Sequence, residues 1–171
     1  MKYLFILLLL LSTSYASLNR LTSFKADFTQ TITDDKNKAL IYTGHIVASK
    51  PQHALWNYIQ PIKKDIYINI SSVTIVEPEI EQVIIRRIES NFNFFNMIEN
   101  AKHIKEDIYE ANHKESVFTI RINNKLIESI SYIDEFENRV KIIFKNQKQN
   151  EKVDLNIFTP DYPLEFDIIR D

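Results

Sequence analysis

The chain has 171 residues, 44% of them hydrophobic, and its 21 basic residues against 23 acidic ones leave a formal charge of −2. That suits one globular domain and provides no basic excess to hold a phosphate backbone, so nucleic acid is not an expected partner. The absence of cysteine excludes disulfides, thiolate metal sites, a cysteine nucleophile and a lipidated N-terminal cysteine. The single glycine, Gly44, excludes glycine-rich phosphate loops, dinucleotide fingerprints and the G-x-S-x-G elbow.

In chain order, Met1-Lys2-Tyr3 is a short positive start, Leu4 to Leu11 is an unbroken apolar run, and Ser14 and Ala16 occupy the −3 and −1 places of a small-residue cleavage site. The pattern predicts a secretory signal peptide over residues 1–16 and a single mature domain over 17–171. An N-terminal membrane anchor is the alternative, but the run falls far short of the ~20 apolar residues a spanning helix needs. The mature protein is expected to be exported and soluble, with its stability supplied by the core alone.

Ser17 to Thr22 could form a short helix. From Phe24 the period becomes two, through Ala26 and Phe28 to Gln30 and Ile32. Asp34 to Lys38 is a turn without glycine, and Leu40 to Ser49 forms a second long strand that ends at Lys50-Pro51. Short strands follow at Leu55–Ile59, Ile66–Ile70, Val73–Val76 and Gln82–Ile88. Asn91 to Lys102 is predicted helical, because Phe94, Phe95, Met97, Ile98 and Ala101 recur at helical spacing behind a cap at Asn91 or Asn93. Strands resume at Asp107–Ala111, Ser116–Ile122, Leu126–Ile133, Arg139–Lys145 and Val153–Phe158, with turns at Asn123–Lys125, Asp134–Asn138 and Asn146–Glu151. The expected fold is mainly β with short α-helices: about eleven strands in one antiparallel meander.

Two or three short helices are too few to cover the apolar face of so large a sheet. Either the sheet curls and closes on itself, or an apolar hollow remains. Catalytic signatures are weak. His45, His53, His103 and His113 include no pair at metal-ligating helical spacing, and the acidic pairs sit in polar turns. No catalytic residue, cofactor or metal ligand is therefore assigned.

Ser23-Phe24-Lys25-Ala26-Asp27-Phe28-Thr29-Gln30 resembles the S-F-x-A-x-F-x-Q opening of the periplasmic outer-membrane lipoprotein carrier (LolA) family. Later features are similar to that family's and fall in the same order: Gly44, Lys50-Pro51, Trp56 with Gln60-Pro61, Pro78 to Val83, a helix around Asn93 to Ile98, the Asp134–Asn138 turn, and Phe158-Thr159-Pro160 with Asp167. Two departures stand out. Glu137 occupies the usual turn glycine, and Lys50 the usual arginine, which in the family holds a lid through hydrogen bonds to its backbone. A lysine offers a compact charge instead of a planar fork, so a latch here would be weaker; Lys50 could equally cap a strand edge.

The resemblance implies an incomplete β-barrel, a curved antiparallel sheet with a helical lid over an apolar cavity. It implies a non-enzymatic carrier that receives acylated lipoproteins from an inner-membrane ABC-type releasing complex and passes them to an outer-membrane acceptor, either a receptor or the membrane itself, while remaining a monomer. Candidate cavity residues are Phe28, Ile46, Trp56, Tyr58, Phe118, Ile120, Ile130, Tyr132, Ile142 and Phe144. Candidate lid residues are Phe94, Phe95 and Ile98, and the candidate latch is Lys50. All of the apolar ones could instead be plain core, and the pattern leaves open which sheet face they share. The alternative function is a periplasmic lipid- or protein-binding sensor module on the same fold.

Overall fold

The computed structural model describes residues 20–88 and 94–170. The signal-peptide region and the proposed Asn91 or Asn93 cap lie outside the described residues, as do residues 17–19 of the possible helix at Ser17–Thr22. Twelve strands form one open, curved sheet: β1 (Ser23–Thr33), β2 (Ala39–Ser49), β3 (His53–Gln60), β4 (Lys64–Ile68), β5 (Ser72–Glu77), β6 (Gln82–Arg87), β7 (Lys102–Lys105), β8 (Ile108–His113), β9 (Ser116–Asn123), β10 (Leu126–Ile133), β11 (Arg139–Gln149) and β12 (Asp167–Arg170). Their spatial order is β12-β6-β5-β4-β3-β2-β1-β11-β10-β9-β8-β7. Two meanders therefore meet at the centre, where β1 pairs antiparallel with β11. A single described α-helix, α1 (Phe94–Glu99), joins the two halves.

Polar side chains shape the turns that glycine would otherwise serve. In the β1–β2 turn the Asp34 carboxylate accepts from the backbone N–H of Lys36 at 3.0 Å and of Lys38 at 2.7 Å. Asp134 repeats the device between β10 and β11, accepting from Phe136 and Asn138, each at 2.9 Å. These Asx-type bonds reinforce the backbone turn bonds that the Asn37 and Glu137 N–H groups donate to the Asp34 and Asp134 carbonyl oxygens, each at 3.1 Å.

Several elements depart from the periodicity. The helix ends earlier than the pattern suggests, at Glu99, and Lys102 already belongs to β7. All four residues of β7 are exposed, so this edge strand carries no apolar alternation to reveal it. The turn expected at Asn146–Glu151 is mostly strand: β11 runs to Gln149 and pairs it with Phe24. The strand expected at Val153–Phe158 is instead a loop with a 3₁₀ turn at Leu155–Phe158, capped by the Asp154 side chain. Tertiary packing decides this, since Phe158 is buried and stacks on His53 at 5.4 Å. The true last strand, β12, pairs parallel to β6.

Period-two alternation sorts the side chains between two cores. One face carries the main cluster, including Phe24, Phe28, Ile46, Ala54, Ile120, Ile130, Ile142 and Phe144, and α1 packs on this face. On the opposite face of β4, β5 and β6, Tyr67, Val76 and Val83 form a second cluster, covered by Tyr162, Phe166 and Ile168 of the C-terminal segment. That half of the sheet is thus apolar on both sides.

Candidate functional site: an apolar pocket beneath a short helix

Strands β3, β4, β9, β10 and β11 supply one side of a pocket of about 350 Å³, through Ala54, Trp56, Ile68, Phe118, Ile130, Tyr132 and Ile142. Helix α1 supplies Phe94, Phe95 and Met97, and the β2–β3 connection supplies Gln52, followed by His53 at the start of β3. Among the described residues, none that lines it is Lys, Arg, Asp or Glu. The wall is thus built for hydrocarbon, with a few polar atoms at one side.

Beneath this wall lies an aromatic network. Phe28 packs edge-on against Trp56 at 5.1 Å and against Tyr58 at 5.0 Å between ring centroids. Phe24 touches Phe94 at 5.1 Å and Phe144 at 5.2 Å, which ties the helix to the two central strands. Phe118 and Tyr132 approach to 4.8 Å. Such pairs add geometric preference to the burial of large apolar surfaces. Tyr58 donates its hydroxyl to the buried Gln30 amide at 3.0 Å, and the Lys64 ammonium lies 4.7 Å from its ring centre. Burial pushes the Tyr58 hydroxyl well above the ordinary phenol value, so it stays a protonated donor.

The structure brings every candidate cavity residue onto one face. Trp56, Phe118, Ile130, Tyr132 and Ile142 line the pocket, while Phe28, Ile46, Tyr58, Ile120 and Phe144 lie in the continuous core around it. Among the helix residues, Phe95 and Ile98 are buried and Phe94 is half-buried against the same cluster. Met97 also lines the pocket, beyond the candidate lid residues; its place at helical spacing next to Ile98 is the signal that the sequence carries for it. Gln52, His53, Ala54 and Ile68 also line the pocket, and the sequence does not single them out for it, since a turn residue, a lone histidine and a small residue carry no pattern. His53 is held by Asn69, with 2.9 Å between Nδ1 and Oδ1, and by its stack on Phe158.

Lys50, at the end of β2, forms an ion pair with Glu99, the last residue of α1, with both side chains about one-third exposed. The pair joins side chain to side chain, unlike the backbone hydrogen bonds expected of an arginine at this place. Away from the pocket, His45 and Asp27 pair across the exposed surface at 2.6 Å. Hydrogen bonds from Asn146 and His45 hold the Asp27 carboxyl below its ordinary value, so it behaves as a solvated charge, not as an acid poised for proton transfer. No group of His, Asp and Glu among the described residues could hold a metal ion.

The sheet and its helix place the chain in a known structural class. It aligns with the LolA superfamily protein NE2245 from Nitrosomonas europaea with a TM-score of 0.56, covering 86% of this chain and 96% of that one at 10% identity. An uncharacterized conserved protein from Thermus thermophilus aligns with a TM-score of 0.55 over 91% and 94% of the two chains, also at 10% identity. At such identities the likeness is one of fold. Sequence narrows the class: residues 19–107 match the family described as outer membrane lipoprotein carrier protein LolA. The outer-membrane lipoprotein carrier protein of Campylobacter jejuni is 42% identical, with 86% of each chain covered, and that of Wolinella succinogenes is 33% identical, with 91% of each covered. The chain belongs to the LolA family of outer-membrane lipoprotein carrier proteins.

Proposed function

We propose that this protein is a periplasmic carrier that shelters the acyl chains of lipoproteins in the apolar pocket and delivers them to the outer membrane, without catalysing a reaction. The observation that carries this reading is the largely apolar pocket with a short helix as one wall. Burying an acyl chain gains about 0.8 kcal/mol per CH₂, so a chain of about 16 carbons gains roughly 12 kcal/mol, and a free lipoprotein will not cross water unassisted. The present volume lies near the bottom of the ~300–1,000 Å³ typical of small-molecule sites. Several acyl chains need more room, and displacing α1 would provide it. In this reading Phe94, Phe95 and Ile98 are the underside of a lid, with Lys50 and Glu99 as its latch. Energy spent in opening the lid lowers affinity, which favours hand-over.

The chain offers no nucleotide-binding motif, so we assign the work of extraction to an inner-membrane ABC-type releasing complex and the receiving step to an outer-membrane acceptor. The carrier itself acts as a monomer, exported by the signal peptide at residues 1–16. Trp56 is the sole tryptophan and lines the pocket, so it reports directly on occupancy. Titration with a diacylated lipopeptide should shift Trp56 emission and displace a fluorescent bis-naphthalene sulfonate at a stoichiometry of one site. No probe binding and no Trp56 response from a folded sample would sink the proposal.

A further inference from the structure

Gln52 combines three features that the apolar wall does not explain. It sits in the turn between β2 and β3 and lines the pocket. Its Nε2 is buried and has no hydrogen-bond partner among the described residues. It is also the one buried side-chain nitrogen or oxygen among them left in that state. A buried donor without an acceptor is costly, and an isosteric apolar side chain would avoid the cost. The neighbouring polar side chain, His53, has Asn69 at its Nδ1 and is not a partner of the Gln52 Nε2.

A ligand can supply the missing acceptor. The pocket takes hydrocarbon, and the donor is neutral. A carboxylate entering here would find no Lys or Arg among the described lining residues, so a free fatty acid would arrive with a poorly compensated buried charge. A neutral carbonyl oxygen at the polar end of an acyl chain meets both conditions. We propose that Gln52 is a specificity residue of this pocket, its Nε2 donating to the carbonyl oxygen of an acyl ester or acyl amide so that esterified or amide-linked acyl chains are preferred over alkanes and free fatty acids. The inference rests on the carrier reading and sharpens it: cargo is recognised by the linkage of its acyl chain as well as by the chain itself.

The test uses four probes of similar length, methyl decanoate, N-methyl decanamide, dodecane and decanoate, titrated into the full-length mature protein and into Gln52→Met with Trp56 emission as readout. Wild type should bind ester or amide more tightly than dodecane, and decanoate most weakly at neutral pH. In Gln52→Met the ester-to-alkane or amide-to-alkane affinity ratio should fall about five- to tenfold, the size of one neutral hydrogen bond. Whichever of the two ratios falls further identifies the linkage that Gln52 reads. The variant should melt at or above the wild-type temperature, because it removes an unpaired amide. A lower melting temperature would mean that Nε2 is already partnered within the protein, which overturns the inference. Ratios unchanged by the substitution would also overturn it while leaving the carrier reading intact. Wild type that binds none of the probes would bring down both.

Discussion

Gly44 shows why a chain of 171 residues keeps one glycine. Its φ is not positive, so the requirement is space, not backbone freedom. A Cβ here would stand 2.0 Å from the Asn57 carbonyl oxygen on β3 and 2.9 Å from the Phe28 ring. Neither can retreat easily, since Asn57 is backbone in a ladder and Phe28 is wedged against Trp56 and Tyr58. Gly44→Ala should therefore cost about 3 kcal/mol, the upper end of ordinary overpacking. Urea unfolding followed at Trp56 would measure it, and an unchanged midpoint would refute the close approach. Glu137 presents the opposite case. It takes φ 63° in the β10–β11 turn, a conformation glycine adopts freely and glutamate does not. Glu137→Gly should stabilise the protein by about 0.5–1 kcal/mol, the relief of left-handed strain less glycine's extra unfolded-state entropy. A thermal melt that falls on this substitution would show that the Glu137 side chain makes a compensating contact.

At the scale of an element, α1 is the least self-sufficient part of the fold. Six residues are too few to hold a helix by hydrogen bonding alone, so tertiary contacts must keep it in place. Phe95 and Ile98 are 2% and 1% exposed, and burying one Phe side chain is worth roughly 1.5–3 kcal/mol. The Lys50–Glu99 pair adds a smaller term of about 0–1 kcal/mol, limited by solvent screening. Glu99 ends the helix, where the negative end of the dipole disfavours a carboxylate, and Lys50 offsets that placement. If the helix is a lid, Phe95→Glu should make the protein hold acylated cargo more tightly and transfer it more slowly to acceptor membranes. Lys50→Leu should act in the same direction, up to about fivefold. Raised salt should reproduce part of the Lys50→Leu effect in the wild type and none in the variant. Transfer kinetics with purified, loaded carrier distinguish the readings: unchanged transfer in a folded Phe95→Glu protein would make α1 ordinary core.

For the molecule as a whole, the C-terminal segment does two jobs. It covers Tyr67, Val76 and Val83 with Tyr162, Phe166 and Ile168, and it pairs β12 with β6 so that β6 is not the sheet's edge. An open sheet cannot remove its edges as a closed barrel does, and an apolar edge strand such as β6 invites pairing with another chain. Truncation after Thr159 should lower stability by more than about 3 kcal/mol, since several large buried side chains lose their cover together. It should also produce oligomers by size-exclusion chromatography and light scattering. A truncated protein that stays monomeric with wild-type stability would show that the second cluster contributes little.

What the order of residues determines by itself is mostly local. Alternation in β1, β2 and β10 places Phe28, Ile46 and Ile130 on one side of their strands, and the Asp34 and Asp134 turns follow from short-range side-chain chemistry. The ordered motifs also sufficed to reveal the family resemblance. Only the tertiary structure decided which residues face each other. Long-range pairing of β1 with β11 brings Phe28 opposite Phe144, and it extends β11 through what looked like a turn. Packing of Phe158 against His53 replaced an expected strand with a 3₁₀ turn. Gln52 and Met97 became pocket residues because separate segments converge there, a relation that no period along the chain can express. The pairing of Lys50 with Glu99 likewise joins positions 49 residues apart, brought within reach only when α1 docks on the sheet.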